Sequence, residues 1–221
     1  MSMNVAIDGP AGAGKSTIAK RLAAKLGYIY VDTGAMYRGM ALYILQKGID
    51  SADEATIAKI CDDIRVEIVY KDREQQILLN GENVTGLIRS EEVGNMASSV
   101  SVYGCVRSKL VALQKELAAK ADVIMDGRDI GTCVLPEAQV KVYLTASVDT
   151  RAMRRFRELQ EKQIACDLEE IKKDIADRDD RDMHRKISPL KQASDAHLID
   201  SSDLSIDEVV DKIMELCRQA G

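Results

Sequence analysis

Nine consecutive residues near the start of the chain, Gly9-Pro10-Ala11-Gly12-Ala13-Gly14-Lys15-Ser16-Thr17, have types and spacing suited to holding phosphate. They fit the pattern G-x-x-x-x-G-K-[ST], in which glycines let backbone N–H groups approach phosphate oxygens and a following helix adds partial positive charge. Lys15 can reach β- and γ-phosphates, and the Ser16 hydroxyl can coordinate Mg²⁺. A glycine-rich turn that holds nothing is the other reading of such a string, and context decides. Met3-Asn4-Val5-Ala6-Ile7 reads as a short buried strand, and Ile18, Leu22 and Leu26 recur at helical spacing up to Gly27. A strand-to-helix setting is the one this motif requires, so nucleoside triphosphate binding is expected.

Further residues with chemical potential lie at the ends of other predicted strands. Asp126-Gly127-Arg128-Asp129 follows the apolar run that starts at Asp122. An acid there is either a Mg²⁺-linked carboxylate or a turn aspartate; two acids flanking Gly-Arg favour a site. Asp32-Thr33-Gly34 ends a second strand, Tyr28-Ile29-Tyr30-Val31-Asp32, and leads into a helix expected from Ala35. Arg38 falls in that helix's first turn, where the dipole disfavours a cation; either an anion sits nearby or Arg38 is a lone surface arginine. Arg151, Arg154 and Arg155 share a helix face, paired with Glu158 and Glu161 or aimed at a ligand. Arg178, Asp182 and Arg185, spaced i, i+4, i+7, point one way from a second helix capped by Asp167 and ended by Ser188-Pro189.

The elements that position these residues alternate strand and helix, which predicts a parallel sheet covered on both faces. Its fourth and fifth strands are Val140-Lys141-Val142-Tyr143-Leu144 and His197-Leu198-Ile199-Asp200. Ligands then gather at the carboxyl ends of the strands, where Gly9, Asp32 and Asp126 fall. One stretch breaks the alternation. After a helix expected to be capped by the box Ser51 to Glu54, Val66, Ile68 and Tyr70 alternate with polar residues. A charged turn, a short strand from Gln76 to Asn80 and an Asn80-Gly81 turn complete an antiparallel hairpin. Helices carrying Val93, Met96, Ala97 and Val100, then Val106, Leu110, Leu113 and Leu117, return to the core. The last helix opens with a capping box, Ser205 to Glu208. The chain is expected to divide into a core (about 1–62, 101–150 and 190–221), an insert (about 63–100) and an arginine-rich lid region (about 151–189) with a polar connection from Glu161 to Cys166.

At 221 residues and net charge −5, the chain suits one α/β domain and a small anionic ligand rather than a nucleic acid. No apolar run is long enough to cross a membrane, so a cytoplasmic protein is expected. Five scattered cysteines without C-x-x-C point to free thiols, and two distant histidines offer no metal pair.

Taken together, these motifs resemble the bacterial cytidylate kinases (CMP kinases), a family of nucleoside-monophosphate kinases. The resemblance spans essentially the whole chain: the phosphate loop, Asp32 to Arg38, Asp126-Gly127-Arg128-Asp129-Ile130-Gly131-Thr132, Arg178-Asp179-Asp180-Arg181-Asp182, and the insert that separates this group from shorter relatives. It implies a three-layer P-loop fold with a five-stranded parallel sheet in the order 2-3-1-4-5, a small antiparallel β insert and a helical lid. It assigns Gly9 through Thr17 to ATP, with Lys15 catalytic and Ser16 on Mg²⁺, Asp126 assisting through water. It places Arg38 and Arg128 on the acceptor phosphate and Thr33, Ser98, Arg107, Asp129 and Arg185 around the base. Arg178 and Asp182 fall to the ribose. Arg151, Arg154 and Arg155 match lid arginines that close on the transferring phosphoryl group. Without it, Ser98 and Arg107 read as ordinary helix-surface residues.

The implied reaction is ATP-dependent phosphorylation of CMP and dCMP by a monomer, within pyrimidine metabolism. The residue types agree: a carboxylate accepts from the cytosine amine and arginines donate to its acceptors. A P-loop kinase for another acceptor, such as a different monophosphate or shikimate, is the nearer alternative. A GTP-dependent switch is the farther one, and the sequence lacks Asn-Lys-x-Asp.

Overall fold

The structure, a computed structural model, describes residues 2–71 and 74–220. Its centre is a parallel sheet of β1 (Asn4–Asp8), β2 (Ile29–Asp32), β6 (Val123–Gly127), β7 (Val140–Thr145) and β8 (His197–Asp200). In space these run β2-β6-β1-β7-β8, which is 2-3-1-4-5 in order along the chain, as the resemblance implies. The central strands β1, β6 and β7 read as apolar runs because both faces are covered, whereas Leu198 on the edge strand β8 is exposed. Along β1, Val5 and Ile7 pack with α1 (Lys15–Leu26) and α8 (Ile206–Ala220), while Ala6 joins Val31, Met125 and α5 (Gly104–Lys120) on the other face. Asp8, next on that second face, points its carboxylate at the backbone N–H groups of Ile130 and Gly131, both at 2.7 Å. Those residues open a short π-helical turn, Ile130–Val134, for which the sequence carries no recognised signal.

Asp8→Asn removes an acceptor for one of these buried donors. Its expected cost is about 1–3 kcal/mol of unfolding free energy at pH 7, read by urea titration.

The insert is a three-stranded antiparallel sheet, β3 (Val66–Lys71), β4 (Glu74–Leu79) and β5 (Glu82–Asn83). The expected hairpin therefore gains a third, two-residue strand after the turn at Asn80 and Gly81, whose φ angles are both positive (50° and 87°). The charged turn between β3 and β4 includes residues 72–73, outside the described residues. Val66, Ile77, Leu79, Val84 and Ile88 share one buried cluster with α2 (Thr33–Gln46), α3 (Glu54–Cys61), α4 (Glu91–Val100) and α5. So the insert's apolar face is continuous with the helices of the main body.

Two helix starts differ from expectation. For α2, Asp32 is the N-cap, accepting from the Ala35 N–H at 2.8 Å, so the helix begins at Thr33 and Arg38 sits in its second turn. For α3, Asp53 rather than Ser51 caps, accepting from Thr56 N–H at 3.0 Å. The Ser205–Glu208 box forms reciprocally ahead of α8. Between β7 and β8 run α6 (Val148–Glu161) and α7 (Leu168–His184), the latter capped by Asp167. No helix among the described residues is long and apolar enough to cross a membrane, and all five cysteines are free.

Candidate active site at the carboxyl ends of the strands

The phosphate loop turns β1 into α1 under a tight steric constraint. Gly9 has φ of 150°, and a Cβ there would lie 1.9 Å from the Leu144 carbonyl oxygen of β7. Only glycine fits. Lys15 begins α1 and is 6% exposed, its Nζ donating to the Pro10 carbonyl at 2.7 Å. Burial, and after it the charge of Arg128, lowers the Lys15 pKa to about 7. A triphosphate placed in the loop would reverse that shift by supplying negative charge.

Ser16 and Asp126 meet at the floor of the loop: Ser16 Oγ donates to Asp126 Oδ2 at 2.9 Å, and Tyr30 Oη donates to Oδ1 at 2.9 Å. Asp32 and Asp126 face each other in the β2–β6 register, which places two acids side by side. Burial, with the Asp32 charge next, raises the Asp126 pKa to about 6. Asp8 is also lifted to about 6 by burial, against the pull of its two backbone donors. The Tyr30 phenol is pushed well above its ordinary range by burial, so it stays a donor.

A second group of side chains lies beyond β6. Asp129 is gripped by Arg107 Nη2 and by Arg185 Nη2, the latter at 3.4 Å. All three side chains are at most 7% exposed. Arg107 also donates to the Ser101 carbonyl and lies 5.7 Å from the Tyr37 ring centroid. Arg128 Nε donates to Asp182 at 2.7 Å, and Arg185 lies 3.8 Å from the same carboxylate. Burial works against the Asp182 charge, but Arg128, Arg185 and Arg178 together outweigh it and hold the carboxyl below its usual value. Thr33 Oγ1 donates to the Asp126 carbonyl at 2.8 Å, which joins this group to the carboxyl end of β6. Among the described residues the one acid that Arg178 pairs with is Asp174, at 3.9 Å, and Ser98 is half-buried on α4.

A third group centres on Asp32, which accepts from Arg38 at 3.1 Å and Arg89 at 2.9 Å. The anion beside Arg38 is thus a protein carboxylate. Each arginine near the expected acceptor site is held by an acid that a phosphate could replace.

The three arginines of α6 do not converge. Arg151 is buried, with Nη1 on the Ala11 carbonyl at 2.9 Å, Nε on Ala146 and Nη2 on Asp179 at 2.6 Å. It ties the phosphate loop to α6 and α7. Arg154 donates to the Ser201 carbonyl at 2.7 Å, and Arg155 pairs with Glu158 at 2.9 Å on the outer face. Each guanidinium has a different acceptor: Ala11, Ala146 and Asp179 for Arg151, Ser201 for Arg154 and Glu158 for Arg155. Arg107, which reads as a helix-surface residue when the resemblance is set aside, is buried and paired with Asp129.

Sequence reasoning missed Asp8, Tyr30, Arg89 and Asp179. Asp8 had a readable signal, since it ends a buried strand as Asp32 and Asp126 do. Arg89 precedes an N-cap serine in a polar stretch, and nothing local marks it. A shallow groove bordered by Lys141, Asp195, His197 and Leu216 lies at the opposite end of β7 and shares none of these groups.

The cytidylate kinase family model matches residues 5–219. A cytidylate kinase of Lactobacillus gasseri is 52% identical over 217 residues, covering 98% of this chain and 94% of the relative. One from Caldicellulosiruptor bescii is 50% identical over 214 residues, covering 97% and 95%. Among solved structures, a gluconokinase from Sinorhizobium meliloti aligns over 99% of this chain and 93% of its own at a TM-score of 0.50 and 14% identity, a likeness of fold alone. With a match across nearly all of its length and half of its residues shared with such relatives, this chain belongs to the cytidylate kinase family.

Proposed function

We propose that the chain transfers the γ-phosphoryl group of ATP in line to the phosphate of CMP or dCMP, giving ADP and the diphosphate. The observation that carries this is the pairing at the end of β6: Asp126 meets the phosphate-loop Ser16, and three residues on, Asp129 is held by two buried guanidiniums. One strand end thus offers a carboxylate to each nucleotide.

Lys15 and the loop amides bind the triphosphate. Arg38 and Arg128 take the acceptor phosphate, exchanging Asp32 and Asp182 for it. Asp129 accepts from the cytosine amine while Arg107 and Arg185 fix its orientation, with Thr33 and Ser98 completing the base pocket. Arg178 and Asp182 face the ribose. Arg151 acts from the loop side as a fastener, and Arg154 and Arg155 reach the phosphates only after leaving Ser201 and Glu158. The acceptor's second pKa is about 6, so it is largely a dianion at neutral pH and needs no strong base. Catalysis rests on positioning and on charge.

The hydroxyl–carboxylate pair of Ser16 and Asp126 fits magnesium, which prefers hard oxygen donors and takes few from protein when phosphates supply others. Among the described residues no three acids, cysteines or histidines form a metal cluster of their own. Bound there, magnesium would neutralise charge on the transferring oxygens. We place the protein in the cytoplasm as a monomer acting on small molecules, without nucleic acid or membrane partners.

The test is an acceptor panel with ATP and magnesium, scored by chromatography of the diphosphates. CMP and dCMP are expected to be converted well ahead of UMP, AMP, GMP and shikimate. Failure to convert any pyrimidine monophosphate overturns the reading.

A further inference from the structure

β2 lies at the edge of the parallel sheet, bonded on one side to β6. An open edge leaves N–H and C=O groups without partners. Here the insert supplies them through side chains. Tyr70 Oη donates to the Tyr30 carbonyl at 3.0 Å. Gln75 makes two bonds to Asp32, its Oε1 accepting from the backbone N–H at 2.8 Å and its Nε2 donating to the carbonyl at 3.2 Å. Tyr70 and Gln75 are directly opposite each other in the β3–β4 ladder. The clasp therefore fixes the backbone of residues 30–32 from the outer side.

On the inner side, the Tyr30 phenol reaches Asp126 Oδ1, while Ser16 reaches Oδ2. Two donors on opposite oxygens stop the carboxylate from turning about its last bond. One of them, Ser16, belongs to the phosphate loop; the other belongs to no recognised motif. We propose that Tyr30 is a positioning residue for Asp126: its phenol holds one oxygen so that the other stays turned to Ser16 and to the magnesium of the bound triphosphate, with the Tyr70–Gln75 clasp fixing the strand that carries it. This rests on the reading that Ser16 and Asp126 face the metal. Groups that orient a metal-facing carboxylate in this way are commonly worth about 10–100-fold in metal affinity.

The test is calorimetric binding of ATP, with excess magnesium and separately with EDTA, to the natural chain, Tyr30→Phe, Asp126→Asn and the double variant. Phenylalanine keeps the ring and removes only the donor, and thermal melts check that the fold is retained. Tyr30→Phe is expected to weaken Mg·ATP about tenfold and to leave metal-free ATP within twofold. In the Asp126→Asn background the second change is expected to add nothing. Equal losses with and without magnesium, no loss at all, or full additivity with Asp126→Asn each overturn the proposal. If Asp126→Asn itself shows no magnesium-specific loss, the metal reading falls and takes the proposal with it; if only Tyr30→Phe is silent, the proposal falls alone.

Discussion

Lys15→Ala is expected to lower turnover with CMP by roughly 10³-fold while the protein stays folded, a loss of the size seen when one preorganised donor is removed from developing charge. Lys15 is the cation that α1 delivers to the phosphate loop, and its Nζ already lies within the loop, on the Pro10 carbonyl. Arg128, whose charge helps lower the Lys15 pKa, is bonded to Asp182 here and is assigned to the acceptor phosphate in the proposed reaction, so it does not stand in for Lys15 in the loop. A steady-state assay at saturating ATP and CMP decides, and turnover within tenfold of the natural chain sinks the assignment.

The same side chain makes a stability prediction of opposite sign. With the folded pKa lowered to about 7 from 10.5, the unfolded chain binds a proton between those values that the folded chain does not. Stability from this group therefore rises with pH across that window, and its cost to folding is greatest at and below pH 7. Lys15→Met keeps the methylenes and removes the charge. Its urea midpoint, compared with that of the natural chain without added nucleotide, should be most improved at pH 7 and progressively less so towards pH 10. A difference that grows with pH would contradict the buried-cation argument.

The phosphate loop was legible because its demand is on backbone geometry: no other residue tolerates the approach of Gly9 to Leu144, so the requirement is written into residue type. The sheet order was not readable from strand periodicity, which is local, and came from the resemblance. Partnerships across long sequence separations were the least legible. Arg107 lies between apolar positions of α5, and nothing nearby shows that Asp129 will neutralise it. The α6 arginines illustrate the limit of face arguments. Spacing fixes where a Cβ points, but a long side chain goes to whichever acceptor the fold supplies, here Ala11, Ser201 and Glu158. The start of α2 was misplaced for a related reason: Thr33-Gly34 reads as a turn until the Asp32 carboxylate is seen capping it.

Asp129→Ala is expected to collapse the preference for CMP over UMP by about 10²-fold or more, because a site that pairs a buried polar group rejects mismatches on that scale or above. Uracil presents a carbonyl where cytosine presents an amine, so the carboxylate of Asp129 meets it lone pair to lone pair. Removing the carboxylate removes both the attraction to one base and the repulsion of the other. It also leaves Arg107 and Arg185 facing each other without the acid between them, and breaking a buried pair costs about 3–5 kcal/mol. A fall in melting temperature is therefore expected with alanine and would blur any change in absolute rate. The ratio of kcat/KM values for the two acceptors, taken on one preparation, is independent of the folded fraction. Asp129→Asn separates the effects further. Its amide oxygen can still accept from one guanidinium while its NH₂ offers a donor to uracil, so the preference should move past parity towards UMP. A CMP-to-UMP ratio that stays at the natural value in both variants would place base recognition elsewhere and leave Asp129 as a strut between two arginines.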